Sequence, residues 1–519
     1  MYKINNRRVK SADFILPAPV GGLNKRDPLV RMDLTDAIEM DNYMPTENSV
    51  ELREGYERYV RLGDFSNTKK IETLACYNTA EHKKMIAVFD GKAFDVSTTT
   101  ATQYQNVSFT KSRCQTVQYR GHLYFMNGVD KPKVYYIDDE NIEHFENWGF
   151  EGEDLPENQI VSGGVSHEFL WFVEKKSTRA WVSSVAGNVA GSLECFDVAQ
   201  VLKWGGELQN VFNWTIDGGQ GIDDYTCLLS SEGEVLIYKG YNPNDADHWS
   251  LVGSYKLSKP LGFQCVLPYR GDVIVMTEDG YLPLSASLSL NNAGFSSVAF
   301  SDKIRGLVLE RAKLYQFQEG WQALIYGKKG FAIFNVPIGN SFEQHVININ
   351  TGAWCKWTNI RAFCWCIYDS NLYFGSDNVV FKFGNVHSDD GLPIEAEVEQ
   401  AYADMGTNTL KKIALIKPRI KSSKDFKLMI WTNMDFEQRN LDYYVNIGGV
   451  QNEVPKWGTN SKWGNVKWGS LQTHQMQGQW LANNATGFKA SVVFKTKTAG
   501  NKIEWFETGL RVEKGTGVL

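Results

Sequence analysis

The chain has 519 residues, with 54 basic against 60 acidic side chains and a net charge of −6, so no overall field draws it onto nucleic acid or an anionic membrane. Aromatics make up 13% of it and 46 glycines stand against 14 prolines, a balance of bulky β-formers and tight turns that leans all-β. No apolar run approaches the roughly 18 residues of a membrane span, and the opening MYKINNRRVKSADF lacks the apolar stretch of a secretory signal. A chain made and folded in a cytosol, with no stable membrane association, is expected.

Residues 1–65 read as an extended N-terminal arm, because Gly21, Gly22, Pro28 and Pro45 interrupt it and leave it poorly suited to building a core of its own. From about residue 66 to 387 short apolar strands alternate with polar turns, and one pattern recurs. YRGHLYFMNGVDKPKVYYID starts at Tyr119, YRGDVIVMTEDGYLPLS at Tyr269 and YDSNLYFGSDNVVFKFG at Tyr368. Each is a tyrosine, a two-residue polar turn, an alternating apolar strand, a second turn and another strand. Looser copies begin at Met85, Ser166, Tyr225 and Ala323. A lone hairpin cannot bury enough surface to stand by itself, whereas small sheets fanned around an axis bury both faces and leave short edges. The spacing of about 35 to 60 residues per copy predicts a β-propeller of six or seven blades.

Residues 388–519 read as a separate β-sandwich. In KKIALIKPRIKS, Ile416, Pro418 and Ile420 alternate with Lys417, Arg419 and Lys421, giving one apolar and one cationic face. Within it, PKWGTNSKWGNVKWGS places Trp457, Trp463 and Trp468 at steps of six and five, each followed by glycine, a spacing that fits neither helix nor uninterrupted strand. A winding loop pinned onto a sheet by three indoles is expected.

Chemistry is sparse in the sequence. The eight histidines show no HExxH pair, there is no GxSxG elbow, and YGKKG at 326–330 lacks the glycine spacing of a phosphate loop. The cysteines at 76, 114, 195, 227, 265, 355, 364 and 366 read as buried thiols, with Cys364 and Cys366 on one face of a strand. Asp138, Asp139, Glu140 and Glu151, Glu153, Asp154 read as solvated turns rather than paired catalytic acids. DGGQGIDD, with Asp217, Gly218, Gly219, Asp223 and Asp224, reads as a mobile loop without the spaced ligands of an EF-hand. No catalytic residue, cofactor or metal ligand is assigned.

Three stretches together resemble a known family. Pro17 to Tyr59 carries Gly-Gly-Leu-Asn, an acidic Asp-Ala stretch, Asn-x-x-Pro and an Arg-x-Gly-Tyr turn; NPNDADHWSLVGSYKLSKPLG is followed by YRGDVIVMTEDGYLPLS and FSDKI; VININTGAWCKWTNIRAFCW precedes LYFGSDNVVFKFG. In this order they resemble the tail-tube and packaged-DNA stabilisation proteins of short-tailed bacteriophages. The resemblance implies a structural virion protein without enzymatic activity, assembled in the host cytoplasm into a homohexameric ring, the tail hub or nozzle below the portal and its adaptor. Such a ring closes the exit channel, retains packaged DNA and conducts the genome at ejection, with fibres, tailspikes or a needle as further partners. A mildly acidic chain suits a duct, since each phosphate neutralised by lysine or arginine adds drag. On this reading Leu23, Met40, Tyr43 and Tyr56 anchor the arm on a neighbouring subunit or the adaptor, and the loop from Asp217 to Asp224 contributes to a gate. The competing expectation is a propeller that cleaves or binds glycans, as a hydrolase, a lyase or a carbohydrate-binding tail protein.

Overall fold

The computed structural model describes residues 11–64, 69–217, 222–287, 298–439, 444–447 and 478–514. The chain folds into two compact units. One comprises residues 58–344 and 359–383, the other residues 1–57, 345–358 and 384–519.

The first unit is a seven-bladed β-propeller. Blade 1 is built from Ile71–Asn78, Lys83–Phe89, Lys92–Asp95 and Thr102–Ser108, and blade 2 from Gln115–Tyr119, His122–Met126, Lys133–Ile137 and Glu143–Asn147. Blade 3 runs from Ile160–Ser166 to Gly191–Asp197 and blade 4 from Leu208–Asp217 to Trp249–Lys256. Blade 5 has three strands, Val266–Tyr269, Asp272–Thr277 and Gly280–Pro283; residues 299–301 cover the last of these, with Phe300 N–H donating to the Tyr281 carbonyl. Blade 6 starts at Gln322–Tyr326. Blade 7 is Cys364–Tyr368, Asn371–Gly375 and Val379–Phe383, completed on its outer edge by Tyr56–Arg61. Successive blades touch in cyclic order through their inner strands, the innermost strand of blade 7 packs against that of blade 1, and blade 7 takes its outer strand from much earlier in the chain.

The recurring tyrosine pattern has a local cause. In blades 2, 5 and 7 the tyrosine ends the innermost strand, pairing Tyr119 with His122, Tyr269 with Asp272 and Tyr368 with Asn371. The two residues between have positive φ, as at Arg120 and Gly121 (42° and 75°) and at Arg270 and Gly271 (48° and 76°). That is the tight hairpin turn whose twist matches the strands. The apolar runs that follow are long because alternate side chains serve different neighbours. In Phe169–Glu174, Phe169, Trp171 and Val173 pack towards blade 4, while Leu170 and Phe172 pack towards blade 2. In Lys83–Phe89, Met85, Ala87 and Phe89 join the core shared with blade 7, and Ile86 and Val88 the core shared with blade 2. Fully buried side chains such as Leu170 and Phe172 each contribute about 2–3 kcal/mol by leaving water.

The second unit is a β-sandwich. One sheet holds Leu481–Gly487, Lys411–Ser422, Ile503–Lys514, Val50–Leu52 and Tyr43–Pro45 in that order, with Ser11–Pro17 also paired to Ile503–Lys514. The other includes Gly22–Leu23, Asp36–Asp41, Ile394–Gln400, Ala490–Thr498 and Phe426–Met434. The sheets meet face to face: Phe494 stacks on Trp505 with ring centroids 4.6 Å apart, and Tyr43 Oη lies 2.8 Å from Thr496 Oγ1.

The domain boundaries therefore differ from those expected at residues 65 and 387. Five strands of the arm are woven into the sandwich sheets, residues 58–61 close the propeller, and residues 345–358 belong to the sandwich unit. The arm needs no core of its own, because the C-terminal strands supply the hydrogen bonds and apolar faces that a Gly- and Pro-interrupted segment lacks.

Candidate functional site

A pocket lined by charged side chains lies on the propeller unit, on the face where the innermost strands begin. Lys70 and Glu72 flank the first residue of Ile71–Asn78, Arg113 precedes Gln115–Tyr119, Gln318 and Glu319 precede Gln322–Tyr326, and Phe363 precedes Cys364–Tyr368. Four blades thus bring their entry residues together, and the Gly339–Asn340 turn of blade 6 completes the rim. The volume is about 160 Å³, below the 300–1,000 Å³ of most small-molecule sites.

Its centre is Arg113. The guanidinium Nε stands 3.3 Å from Glu319 Oε2, Nη2 stands 4.0 Å from Glu72 Oε1, and Nη2 donates to the Phe363 carbonyl at 3.3 Å. Lys111 Nζ approaches Glu319 Oε1 at 2.6 Å. Lys70 and Arg361 lie over the Phe363 ring, 4.9 and 5.2 Å from its centroid. Two carboxylates thus share one guanidinium. Each glutamate faces a cation rather than the apolar wall against which a catalytic general acid sits. Among the described residues no group of three or more His, Cys, Asp or Glu side chains could hold a metal ion.

The residues singled out in the sequence are placed elsewhere. Leu23, Met40 and Tyr43 are completely buried inside the sandwich unit, so as folded they present nothing to a neighbouring subunit; Tyr56 is half-buried. Asp217 and Asp223 lie on the paired strands Leu208–Asp217 and Ile222–Ser230, and exposed Asp224 accepts a hydrogen bond from Thr215 Oγ1 at 2.6 Å; Gly218 and Gly219 lie outside the described residues. Ser166, which ends the innermost strand of blade 3, contacts Asn213, so this hairpin runs four residues, about 13 Å, past its neighbour's turn. Trp457, Trp463 and Trp468 lie outside the described residues.

The acidic turn at 138–140 is structural: Asp138 accepts from the N–H groups of Glu140 and Ile142 and pairs with His144 Nε2 at 2.8 Å. The cationic strand face is engaged within the unit, with Arg419 3.0 Å from Glu507, Lys421 3.3 Å from Glu504 and Lys417 over the Trp480 ring, 5.8 Å from its centroid. It is no open phosphate-binding surface. Ile416 and Ile420 are buried on the opposite face, as their alternation requires.

Sequence reasoning missed a buried ionic knot in the sandwich. Arg53, with no side-chain exposure, donates Nη1 and Nη2 to the two carboxylate oxygens of Asp389 at 2.8 and 2.7 Å, and Nε to Asn42 Oδ1 at 2.8 Å. Asn42 Nδ2 in turn donates to Thr358 Oγ1 and the Glu395 carbonyl. Next to it, Gly55 lies so close to the chain that a Cβ there would sit 2.0 Å from the Ser388 carbonyl oxygen. The signal was present in the Asn-x-x-Pro and Arg-x-Gly-Tyr motifs. The partner Asp389, 336 residues away, was not legible. The pocket residues carry no motif, since they come singly or in twos from stretches of the chain far apart in sequence.

No family model and no curated protein matches the chain. Among solved structures, the chain is similar to Sqt1 of Saccharomyces cerevisiae, at 9% identity and a TM-score of 0.35 over 64% of this chain and 100% of that one. It is also similar to an exo-β-1,3-galactanase of Phanerochaete chrysosporium solved with galactose, at 10% identity and a TM-score of 0.25 over 75% of this chain and 95% of that one. Likeness at these levels carries no inference about activity.

Proposed function

We propose that this chain is a structural subunit of the tail hub of a short-tailed bacteriophage, a ring-forming protein below the portal and adaptor that retains packaged DNA and serves as its conduit. The observation that supports the reading is the job done by the motif residues. Asn42, Arg53 and Gly55, which carry much of the resemblance between Pro17 and Tyr59, knit the N-terminal segment to the C-terminal strands. The motif is thus a signature of architecture, a sandwich split in sequence around a propeller. Docking on the adaptor and on neighbouring subunits falls to exposed surfaces, since Leu23, Met40 and Tyr43 are occupied within the chain. Native mass spectrometry of the purified protein, with and without its adaptor, tests the reading. A ring near six times 58.7 kDa is expected; a monomer that stays monomeric with the adaptor overturns it.

A second reading, a propeller that binds or cleaves glycans, is favoured by one feature: Glu72 and Glu319 line the same pocket on the propeller face. Two carboxyl groups across a sugar are the minimum for glycoside hydrolysis. Turnover of a polysaccharide that is lost in both Glu72→Gln and Glu319→Gln would establish it. Equal turnover in wild type and both variants would remove these residues from any such chemistry.

A further inference from the structure

The seam where the propeller closes carries a pair of thiols. Cys76 lies on the innermost strand of blade 1 and Cys366 on the innermost strand of blade 7, and these strands pack side by side. Both side chains face the apolar core that these two strands share. They belong to one apolar cluster with Leu74, Met85 and Tyr373, where Cys364 is turned instead towards the Ile71 carbonyl at 3.3 Å. All eight cysteines are free thiols. Cys114, Cys227, Cys265 and Cys355 are buried, and Cys195 is exposed on the outer strand of blade 3.

We propose that Cys76 and Cys366 are an oxidisable pair that forms a disulfide across the first and last blades and locks the propeller ring shut. The closure is otherwise non-covalent, resting on the packing of blade 7 against blade 1 and on the outer strand Tyr56–Arg61. A bond between residues 76 and 366 would enclose almost the whole propeller in one covalent loop. Constraint of the unfolded chain grows with the size of the loop closed, so this pair is placed where a crosslink stabilises most.

The two thiols differ in access, which sets their order of reaction. Cys76 is half-exposed, whereas Cys366 is buried. Contact with Cys366, with Lys83 nearby, holds the Cys76 thiol below its ordinary range; the same contact and burial push Cys366 up. With a small disulfide such as oxidised glutathione as oxidant, the Cys76 thiolate attacks one sulfur, forming a mixed disulfide and releasing one glutathione. Cys366 then loses its proton and attacks the Cys76 sulfur, releasing the second glutathione as a thiol. Two protein thiols are oxidised and one glutathione disulfide is reduced to two thiols.

The test is to incubate the folded full-length protein with oxidised glutathione, block remaining thiols, and map peptides without reduction. A Cys76–Cys366 crosslink is expected, with a higher unfolding temperature that returns to its starting value after dithiothreitol. Cys366→Ser, and Cys366→Ala as a second variant, should keep one glutathione on Cys76 and show no rise. Exposed Cys195 serves as the internal control. If it takes up glutathione while Cys76 and Cys366 remain free, or if Cys76 crosslinks to Cys364, the proposed pair is wrong. A Cys76–Cys366 crosslink that leaves the unfolding temperature unchanged overturns the lock.

Discussion

Replacing Arg53 by alanine tests how the sandwich unit holds its N-terminal segment. The wild-type guanidinium has no solvent exposure and makes two hydrogen bonds to Asp389, one to Asn42 and further ones to the carbonyls of Glu54 and Thr358 at 3.0 and 3.3 Å. Truncation leaves the Asp389 carboxylate, itself only 6% exposed, without its counter-ion. Breaking a buried pair from one side costs about 3–5 kcal/mol, far more than an exposed ion pair is worth. Because two units need not unfold in one transition, native-state hydrogen exchange is the suitable assay. Amides of Val50–Leu52 and Ile394–Gln400 should lose protection by roughly a hundredfold to a few thousandfold, while those of Ile71–Asn78 in the propeller stay unchanged. The double variant Arg53→Met/Asp389→Leu should recover much of the loss, since it removes the stranded charge. Loss below about 1 kcal/mol in Arg53→Ala, or a double variant as weak as the single one, would refute the reasoning.

Three further outcomes follow from the sandwich unit. Burial, opposed by Lys356 at 3.1 Å, pushes the Asp41 carboxyl up to about 6 from its ordinary 3.8. Its folded value exceeds its unfolded one, so its contribution to stability is full below about pH 4 and is lost as pH rises through about 6, by at most ~3 kcal/mol; Asp41→Asn should flatten that part of the stability profile in urea titrations, and an unchanged slope between pH 4 and 6 would count against it. Lys411 is buried and donates to the carbonyls of Asp404, Thr407 and Phe488 at 2.6, 2.5 and 2.7 Å, so Lys411→Met strands three acceptors and should cost about 3 kcal/mol in chemical denaturation. Gly55→Ala forces a methyl group against the Ser388 backbone and should cost about 1–3 kcal/mol in the same assay, with a neutral result excluding the close approach.

What the sequence determined by itself was local. The Tyr-turn-strand repeat follows from residues that accept positive φ in a two-residue turn, and the alternation over Lys411–Ser422 from the period of a strand, so propeller and sandwich were both legible. Tertiary structure alone decided which strands meet. The seventh blade takes its outer strand from Tyr56–Arg61, Ser11–Pro17 pairs with Ile503–Lys514 and Asp36–Asp41 with Ile394–Gln400, and Arg419 and Lys421 find Glu507 and Glu504. Each of these depends on contacts across tens to hundreds of residues. A strand's alternation says that one face will be covered but not by what, and a buried arginine's cost says that it will have a partner but not which one.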